Sequence, residues 1–150
     1  MQQEEKDFVR KKLQKYKWLC LEVRELEEEI DELRNRLTYH RSEGENRSGS
    51  GGDKMAEAIA RLVDLTEKRH EVLLQRIEER DRISAAIDSL EDPEERMIIH
   101  ARYIQGKPWN VIYADFKDRE WRTMFRVHTR ALESIAKYFK SGTKCHKDMD

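Results

Sequence analysis

The sequence predicts an all-α protein in which a long helical hairpin, similar to a coiled coil, is followed by a C-terminal helix-turn-helix domain. Three observations support this prediction: an apolar seam with alternating spacings of three and four, a glycine-rich break, and helix start and stop signals in the last third. Charged residues make up 41% of the 150 residues, a proportion typical of long helices exposed to solvent.

The first helix is predicted over residues 4–41, which contain no glycine or proline. Its apolar residues form a heptad seam that consists of Tyr16, Leu19, Val23, Leu26, Ile30, Leu33 and Leu37. Residues 42–53 hold four of the six glycines and indicate a flexible loop. The first helix should therefore end at this loop and present one apolar face.

A second helix is expected from Asp53, a good N-cap, to about Leu90, with His70 as a satisfied residue of its apolar stripe. The loop allows this helix to fold back along the first as an antiparallel hairpin. Two helices alone bury little surface, so we expect residues 1–91 to pair with another copy of the chain or with a partner protein.

The C-terminal part carries the signals of three further helices. Asp92 is placed as an N-cap with Pro93 at the first helical position, and Gly106 should end that helix in a left-handed conformation. Pro108 should begin a short helix, and Asp118 should cap a longer helix from Arg119 to about Phe139. This order predicts a helix-turn-helix domain over residues 92–140, followed by a disordered tail over residues 141–150.

Charge is unevenly distributed along the chain. Before Pro93, 18 Lys and Arg stand against 23 Asp and Glu, a net charge of −5, whereas from Pro93 onward 12 stand against 8, a net charge of +4. Within Lys117–Lys147, 9 basic and 3 acidic residues give a net charge of +6. Because DNA attracts clusters of Lys and Arg, a site for double-stranded DNA is expected in this basic part.

The last helix is predicted to have two opposite faces at about 100° per residue. The apolar face consists of Trp121, Met124, Val127, His128, Ala131, Leu132, Ile135, Tyr138 and Phe139, and the polar face of Arg119, Arg122, Thr123, Arg126, Thr129 and Arg130. His128 and His100 are expected to be core residues. Since the first part of a recognition helix reaches base edges, the candidate base contacts are Arg119, Arg122, Thr123 and Arg126. The candidate phosphate contacts are Arg130, Lys117 and Lys107.

Other functions find little support in the sequence. It contains no Gly-rich phosphate loop, metal-ligand cluster or nucleophile elbow, so we expect no enzyme, metal or cofactor. Cys20 and Cys145 lie near opposite ends of the chain and suggest neither a disulfide framework nor a zinc site. No stretch approaches the length of a membrane span or a signal peptide, so a cytoplasmic protein is expected.

The stretch Leu90–Phe139 resembles region four of bacterial sigma factors. The matching motifs are L-x-D-P-E-E-R at Leu90–Arg96, R-Y-I-Q-G-K-P-W at Arg102–Trp109 and R-V-H-T-R-A-L at Arg126–Leu132. The whole plan is similar to phage-encoded late transcription regulators of the ArpU and RinA type. The resemblance implies promoter binding, contact with RNA polymerase, or activation of late phage genes. Where the family has an Ile-Ala pair in the middle helix, this chain has Ile112-Tyr113-Ala114.

Two alternatives to a transcription regulator stay open at the sequence level. A phage small terminase subunit also joins a helix-turn-helix to a helical oligomerisation segment, and it would recognise packaging sites as a ring of many copies. A coiled-coil adaptor would have no nucleic-acid partner. Mass in solution separates the first alternative from the regulator, and salt-sensitive binding to duplex DNA separates the second.

Overall fold

The chain is helical and contains no strand in the part that the structure describes, which confirms the predicted all-α class. The structure is a computed structural model that describes residues 3–44, 51–116 and 119–148, with side chains up to residue 142. The helices are α1 (Gln3–Gly44), α2 (Gly51–Asp88), α3 (Pro93–Ile99), α4 (Trp109–Tyr113) and α5 (Trp121–Asp148). A π-helical turn (His100–Ile104) follows α3, and a 3-10 turn (Ala114–Phe116) follows α4. Within the described ranges, no helix is both long enough and apolar enough to cross a membrane.

Contacts divide the chain into two compact units. One unit is Leu19–Glu79. The other, here named the C-terminal unit, combines the chain before Leu19 with the chain from Arg80 onward. The expected boundary after residue 91 therefore does not coincide with the contact pattern. The physical reason is that the two outer ends of the hairpin helices bury side chains within the C-terminal unit, where Val9 and Leu13 are fully buried.

The unit Leu19–Glu79 is an antiparallel helical hairpin, as the sequence predicts. Glu22 pairs with Arg76 at 2.7 Å, and Glu29 pairs with Arg69 at 3.4 Å. From the first pair to the second, the residue number rises on α1 and falls on α2. The two helices therefore run in opposite directions. The apolar cluster between them is formed by Val23, Leu26, Ile30 and Leu73, with Val72 and Ile77 packed against it.

Two details of the hairpin differ from the prediction. α1 continues to Gly44 and α2 starts at Gly51, so both ends of the predicted loop 42–53 are helical, and residues 45–50 lie outside the described residues. The expectation that His70 is a buried seam residue is wrong, because its side chain is exposed. At that level of α2 the residues directed toward α1 are Arg69 and Leu73, which leaves His70 on the outer side.

The start and end signals around α3 are confirmed. The Glu94 N–H donates to Asp92 Oδ1 at 2.9 Å, and Pro93 occupies the first turn. Gly106 adopts a φ of 69°, the left-handed conformation that glycine adopts without steric penalty. The Lys107 N–H donates to the Ala101 carbonyl at 3.0 Å and closes the end of the π-helical turn. The helical segment that begins with α3 therefore ends, after the π-helical turn, where glycine permits the chain to reverse.

α3, the two short turns, α4 and α5 share one apolar core. Its buried residues are Ile98, Ala101, Ile112, Phe116, Met124 and Val127, and Met97, Trp109, Tyr113 and Phe125 pack against it. α4 is preceded by Pro108, whose carbonyl accepts from the N–H groups of Val111 and Ile112. The arrangement is the predicted sequence of three helices joined by tight turns, with α5 as the longest of them.

The short helix beginning after Pro108 has five α-helical residues and then tightens into a 3-10 turn. Two other expectations in this unit need correction. α5 runs to Asp148, so the chain after residue 140 is not a tail without structure. Gly142 is its only glycine, and one glycine weakens a helix by only about 1 kcal/mol. His100 is exposed, not buried, because Ile98, Ile99 and Ala101 occupy the inward positions around it.

The N-terminal end of α1 contacts α5 within the same unit. Lys140 Nζ donates to Glu5 Oε1 at 2.5 Å, and Lys12 Nζ lies 4.7 Å from the centre of the Phe139 ring. Lys12 Nζ is also 5.0 Å from the Phe8 ring, so one ammonium contacts two aromatic rings. The outer end of α1 is therefore part of the C-terminal unit and fixes the far half of α5.

Candidate nucleic-acid interface

α5 has the two opposite faces that the sequence predicts over most of its described length. Its buried side consists of Met124, Val127, His128, Ala131, Leu132, Ile135 and Ala136. Arg122, Arg126 and Arg130 are exposed, and their spacing of four residues places them along one side of the helix. The helix can therefore present a row of guanidinium groups while its other side stays packed.

Arg122 and Arg126 make no ion pair with any described residue and are the two exposed arginines nearest the start of α5. Guanidinium groups in this situation can form bidentate hydrogen bonds with guanine O6 and N7 or with phosphates. Lys137 extends the same side of the helix, eleven residues or three turns beyond Arg126, and it is exposed. Its helical spacing from Arg126 could have identified it in the sequence.

Arg119 is engaged with the protein itself. Its Nη1 donates to Glu94 Oε2 at 2.7 Å and its Nη2 lies 2.5 Å from Glu94 Oε1, which makes a bidentate ion pair. The Tyr113 hydroxyl donates to the Arg119 carbonyl at 3.1 Å. Arg119 therefore connects the turn before α5 to the first turn of α3, an arrangement that the sequence did not suggest because 25 residues separate the partners.

Arg130 lies near an unusual carboxyl group on α3. Burial raises the pKa of Glu95, the Asp92 carboxylate raises it further, and the positive charge of Arg130 opposes the rise. Glu95 is 8% exposed although it lies in the first turn of a short helix. Arg130 therefore has an acidic neighbour, in contrast to Arg122 and Arg126.

The remaining predicted contacts are dispersed. Thr123 is half-buried, and its N–H donates to the Glu120 carbonyl at 2.9 Å. Lys107 is half-buried and lines an open groove of about 420 Å³ together with Asp88, Arg96, His100 and Asp115, apart from the arginine row. Lys117 lies outside the described residues, as does the predicted N-cap Asp118.

An aromatic network supports α5 from the side of α4. Trp109 packs against Phe125 with ring centres 4.9 Å apart and against His128 at 4.8 Å, and the Arg102 guanidinium lies 4.8 Å from the Trp109 ring. His128 is 4% exposed and shares a 2.8 Å hydrogen bond with the Tyr103 hydroxyl. His128 is thus a core residue, as predicted.

The electrostatics around His128 also indicate an interior position. Burial, together with the nearby positive charges of Arg10 and Arg102, lowers the pKa of His128 to about 4. Burial also raises the pKa of the Tyr103 hydroxyl, with Arg10 and Arg102 opposing the rise. Both groups are therefore neutral near pH 7 and serve to position α3, α4 and α5.

The start of α5 differs from the predicted pattern at Trp121. The sequence places Trp121 on the apolar face, whereas its side chain is 42% exposed. It is the first residue of α5, and the Tyr113 and Phe125 rings pack against its indole while part of it stays exposed. Tyr138, also expected on the apolar face, is 38% exposed.

No protein-family model, curated protein sequence or solved structure matches the chain. Among the described residues, no group of three or more His, Cys, Asp or Glu side chains is arranged to hold a metal ion. The geometry of the C-terminal unit is therefore the basis for a functional proposal.

Proposed function

We propose that this chain is a sequence-specific DNA-binding transcription regulator of phage or prophage origin, with a helix-turn-helix similar to sigma factor region four. The observation that carries the proposal is the exposed row of Arg122, Arg126 and Arg130 opposite the buried side of α5. A helix that reads DNA in the major groove needs one side to pack on its domain and another to present hydrogen-bond donors.

Arg122 and Arg126 are the primary DNA contacts in this proposal. They lie in the first two turns of α5, where recognition helices meet base edges, and neither has an acidic partner among the described residues. Arg130 and Lys137 contact phosphates farther along the helix. Arg119 acts mainly by holding the turn before α5 through its ion pair with Glu94.

The hairpin Leu19–Glu79 supplies the second activity of the regulator, which is association. Leu21, Leu65 and Leu74 are exposed large apolar residues on this unit. A homo-oligomer, or a complex with RNA polymerase, would cover part of this surface. The regulator acts in the cytoplasm on double-stranded DNA and requires no cofactor.

The proposal is tested by selecting bound duplexes from random DNA and measuring affinity for the recovered site as a function of salt. Each phosphate that the protein neutralises contributes a slope of about −0.9 to the plot of log K against log salt. The double variant Arg122→Ala, Arg126→Ala should lose specific binding, whereas Arg130→Ala, Lys137→Ala should reduce the magnitude of that slope by roughly 2. Helix content measured by circular dichroism should not change.

A matched control removes the same two positive charges from the hairpin. Arg24 and Arg34 are exposed on α1, so Arg24→Ala, Arg34→Ala should retain specific binding. Equal loss in both double variants would show that net charge, and not the α5 face, determines binding. Absence of salt-sensitive DNA binding in the intact protein would favour the coiled-coil adaptor, and a ring of many copies in solution would favour the small terminase subunit.

A further inference from the structure

The indole of Trp121 is an exposed apolar group at the first residue of α5. The residue is 42% exposed, and its ring meets the Tyr113 ring edge-to-face with centres 4.7 Å apart. On its other side the Phe125 ring lies 5.4 Å away, at an interplanar angle of 66°. Trp121 is therefore held in place by two rings while a large part of its own surface faces solvent.

The two supporting rings are themselves fixed. Phe125 packs against Trp109, whose ring also contacts the buried His128. Tyr113 is anchored through its hydroxyl, which donates to the Arg119 carbonyl at 3.1 Å. A side chain that is held in one orientation loses little conformational entropy on binding. The exposed part of Trp121 can therefore contact another molecule at low entropic cost.

Major-groove chemistry limits what an indole at this position can recognise. Thymine presents a C5-methyl group there, and the other base-edge groups in the groove are hydrogen-bond donors and acceptors. Tryptophan offers one N–H donor and a wide apolar surface, which matches a methyl group better than it matches a purine edge. The neighbouring Arg122 is exposed and suited to guanine.

We propose that Trp121 packs against the 5-methyl group of a thymine next to the base contacted by Arg122, and so determines part of the sequence preference. The inference rests on the proposed DNA-binding function, because it places the start of α5 in the major groove. Trp121 would add an apolar contact to a protein surface that otherwise recognises DNA through arginines. Trp121 contributes to sequence preference and not to attraction toward the DNA backbone.

The test uses the full chain and the duplex recovered by site selection, with each thymine replaced singly by deoxyuridine. This replacement removes one methyl group and leaves base pairing unchanged. At one position wild-type affinity should fall about fourfold, the value expected for losing one buried methyl group. In Trp121→Ala the same replacement should have no effect, while the salt slope and the affinity for random duplex stay at wild-type values.

Trp18→Ala is the matched control, because Trp18 is 68% exposed on α1 and lies outside the proposed interface. This variant should keep the fourfold loss at the same thymine. A loss that persists unchanged in Trp121→Ala, or a wild-type protein insensitive to every thymine methyl, would overturn the inference while leaving salt-dependent DNA binding intact. Absence of DNA binding altogether would overturn the proposed function and this inference together.

A second measurement needs no variant and so does not depend on how Trp121→Ala folds. 5-Iodouracil placed at the methyl-sensitive thymine puts a photoreactive atom where the methyl group stood. Irradiation of the wild-type complex should yield a crosslinked peptide that contains Trp121. Crosslinking confined to other residues would contradict the contact.

Discussion

The Tyr103 hydroxyl and His128 Nε2 are joined by a 2.8 Å hydrogen bond between the π-helical turn and the first third of α5. The two rings are also stacked, with centres 5.8 Å apart and an interplanar angle of 19°. Trp109, the first residue of α4, packs against the His128 ring. One polar pair therefore connects all three C-terminal helical segments, and its protonation state affects how they pack.

The first prediction concerns pH. Burial and the nearby arginines lower the pKa of His128 to about 4, whereas an unfolded histidine titrates near 6.5. Below pH 6.5 the unfolded chain therefore binds a proton that the folded chain takes up only near pH 4. The free energy of unfolding should fall as pH decreases through this window, by on the order of 3 kcal/mol in total.

Urea unfolding at several pH values between 7.5 and 4 measures this effect. The carboxyl groups also titrate in this range, so the quantity of interest is the difference between the wild type and His128→Gln. The free energy of unfolding of the wild type minus that of His128→Gln should decrease as pH falls from 6.5 to 4. His100→Gln, which changes an exposed histidine, should follow the wild type. A pH-independent difference between wild type and His128→Gln would contradict the shifted pKa.

The second prediction concerns the left-handed glycine. Gly106→Ala should destabilise the C-terminal unit by about 1–2 kcal/mol, because a side chain is unfavourable at positive φ. The nearest atom to an added Cβ is Lys17 Nζ at 4.0 Å, so the loss would come from the backbone and not from a clash. Thermal unfolding checks the change.

Gly142→Ala is the control for the glycine prediction, with the opposite expected sign. Gly142 lies within α5 and nothing approaches its Cβ position within 4 Å. Alanine should stabilise the helix there by up to about 1 kcal/mol. Stabilisation by both substitutions would show that Gly106 does not need its left-handed conformation.

The third prediction separates two adjacent leucines of α2. Leu73 is 7% exposed within the hairpin cluster, and Leu74 is 54% exposed. Leu73→Ala should lower the free energy of unfolding by roughly 2–3 kcal/mol, since it opens a cavity between the helices. Leu74→Ala should change it by less than about 0.5 kcal/mol. Equal losses would mean that Leu74 is covered in solution, and mass measurements on the two variants would then show whether another copy covers it.

The fourth prediction concerns the ion pair between Arg119 and Glu94. A double-mutant cycle with Arg119→Gln and Glu94→Gln should give a coupling energy of about 1 kcal/mol, at the upper end for a partly exposed pair because the contact is bidentate. The coupling should weaken at about 1 M salt, where charges are strongly screened. A coupling energy near zero at low salt would show that the pair does not stabilise the turn before α5.

The sequence predicts best those features that depend on neighbouring residues in the chain. Asp92 caps α3 and Gly106 ends the turn because backbone chemistry within a few residues determines both. The hairpin seam was also predictable, since a heptad pattern repeated from Leu19 to Leu33 can bury only one face of a helix.

Features that depend on residues distant in the chain were harder to predict from the sequence. The partner of Arg119 lies 25 residues earlier, and no spacing rule connects the two. Helical periodicity alone placed Trp121 among buried residues, although the exposure of a helix end depends on how far α4 extends to cover it. The sequence also predicted His70 and His100 to be buried, and both predictions are wrong. Their burial depends on which neighbouring residues face the adjoining helix, and this cannot be read from local spacing.

The π-helical turn between His100 and Ile104 holds one residue more than an α-helical turn would need. Deleting one residue from it would allow an ordinary helix and leave Gln105 and Gly106 close to their present orientation, because the wider turn already absorbs the extra residue. Removing a second residue would find no such slack and would rotate them by about 100° around the axis. Pro108 would then leave in another direction, and α4 with it. A deletion of one residue in this short stretch should accordingly be tolerated better than a deletion of two.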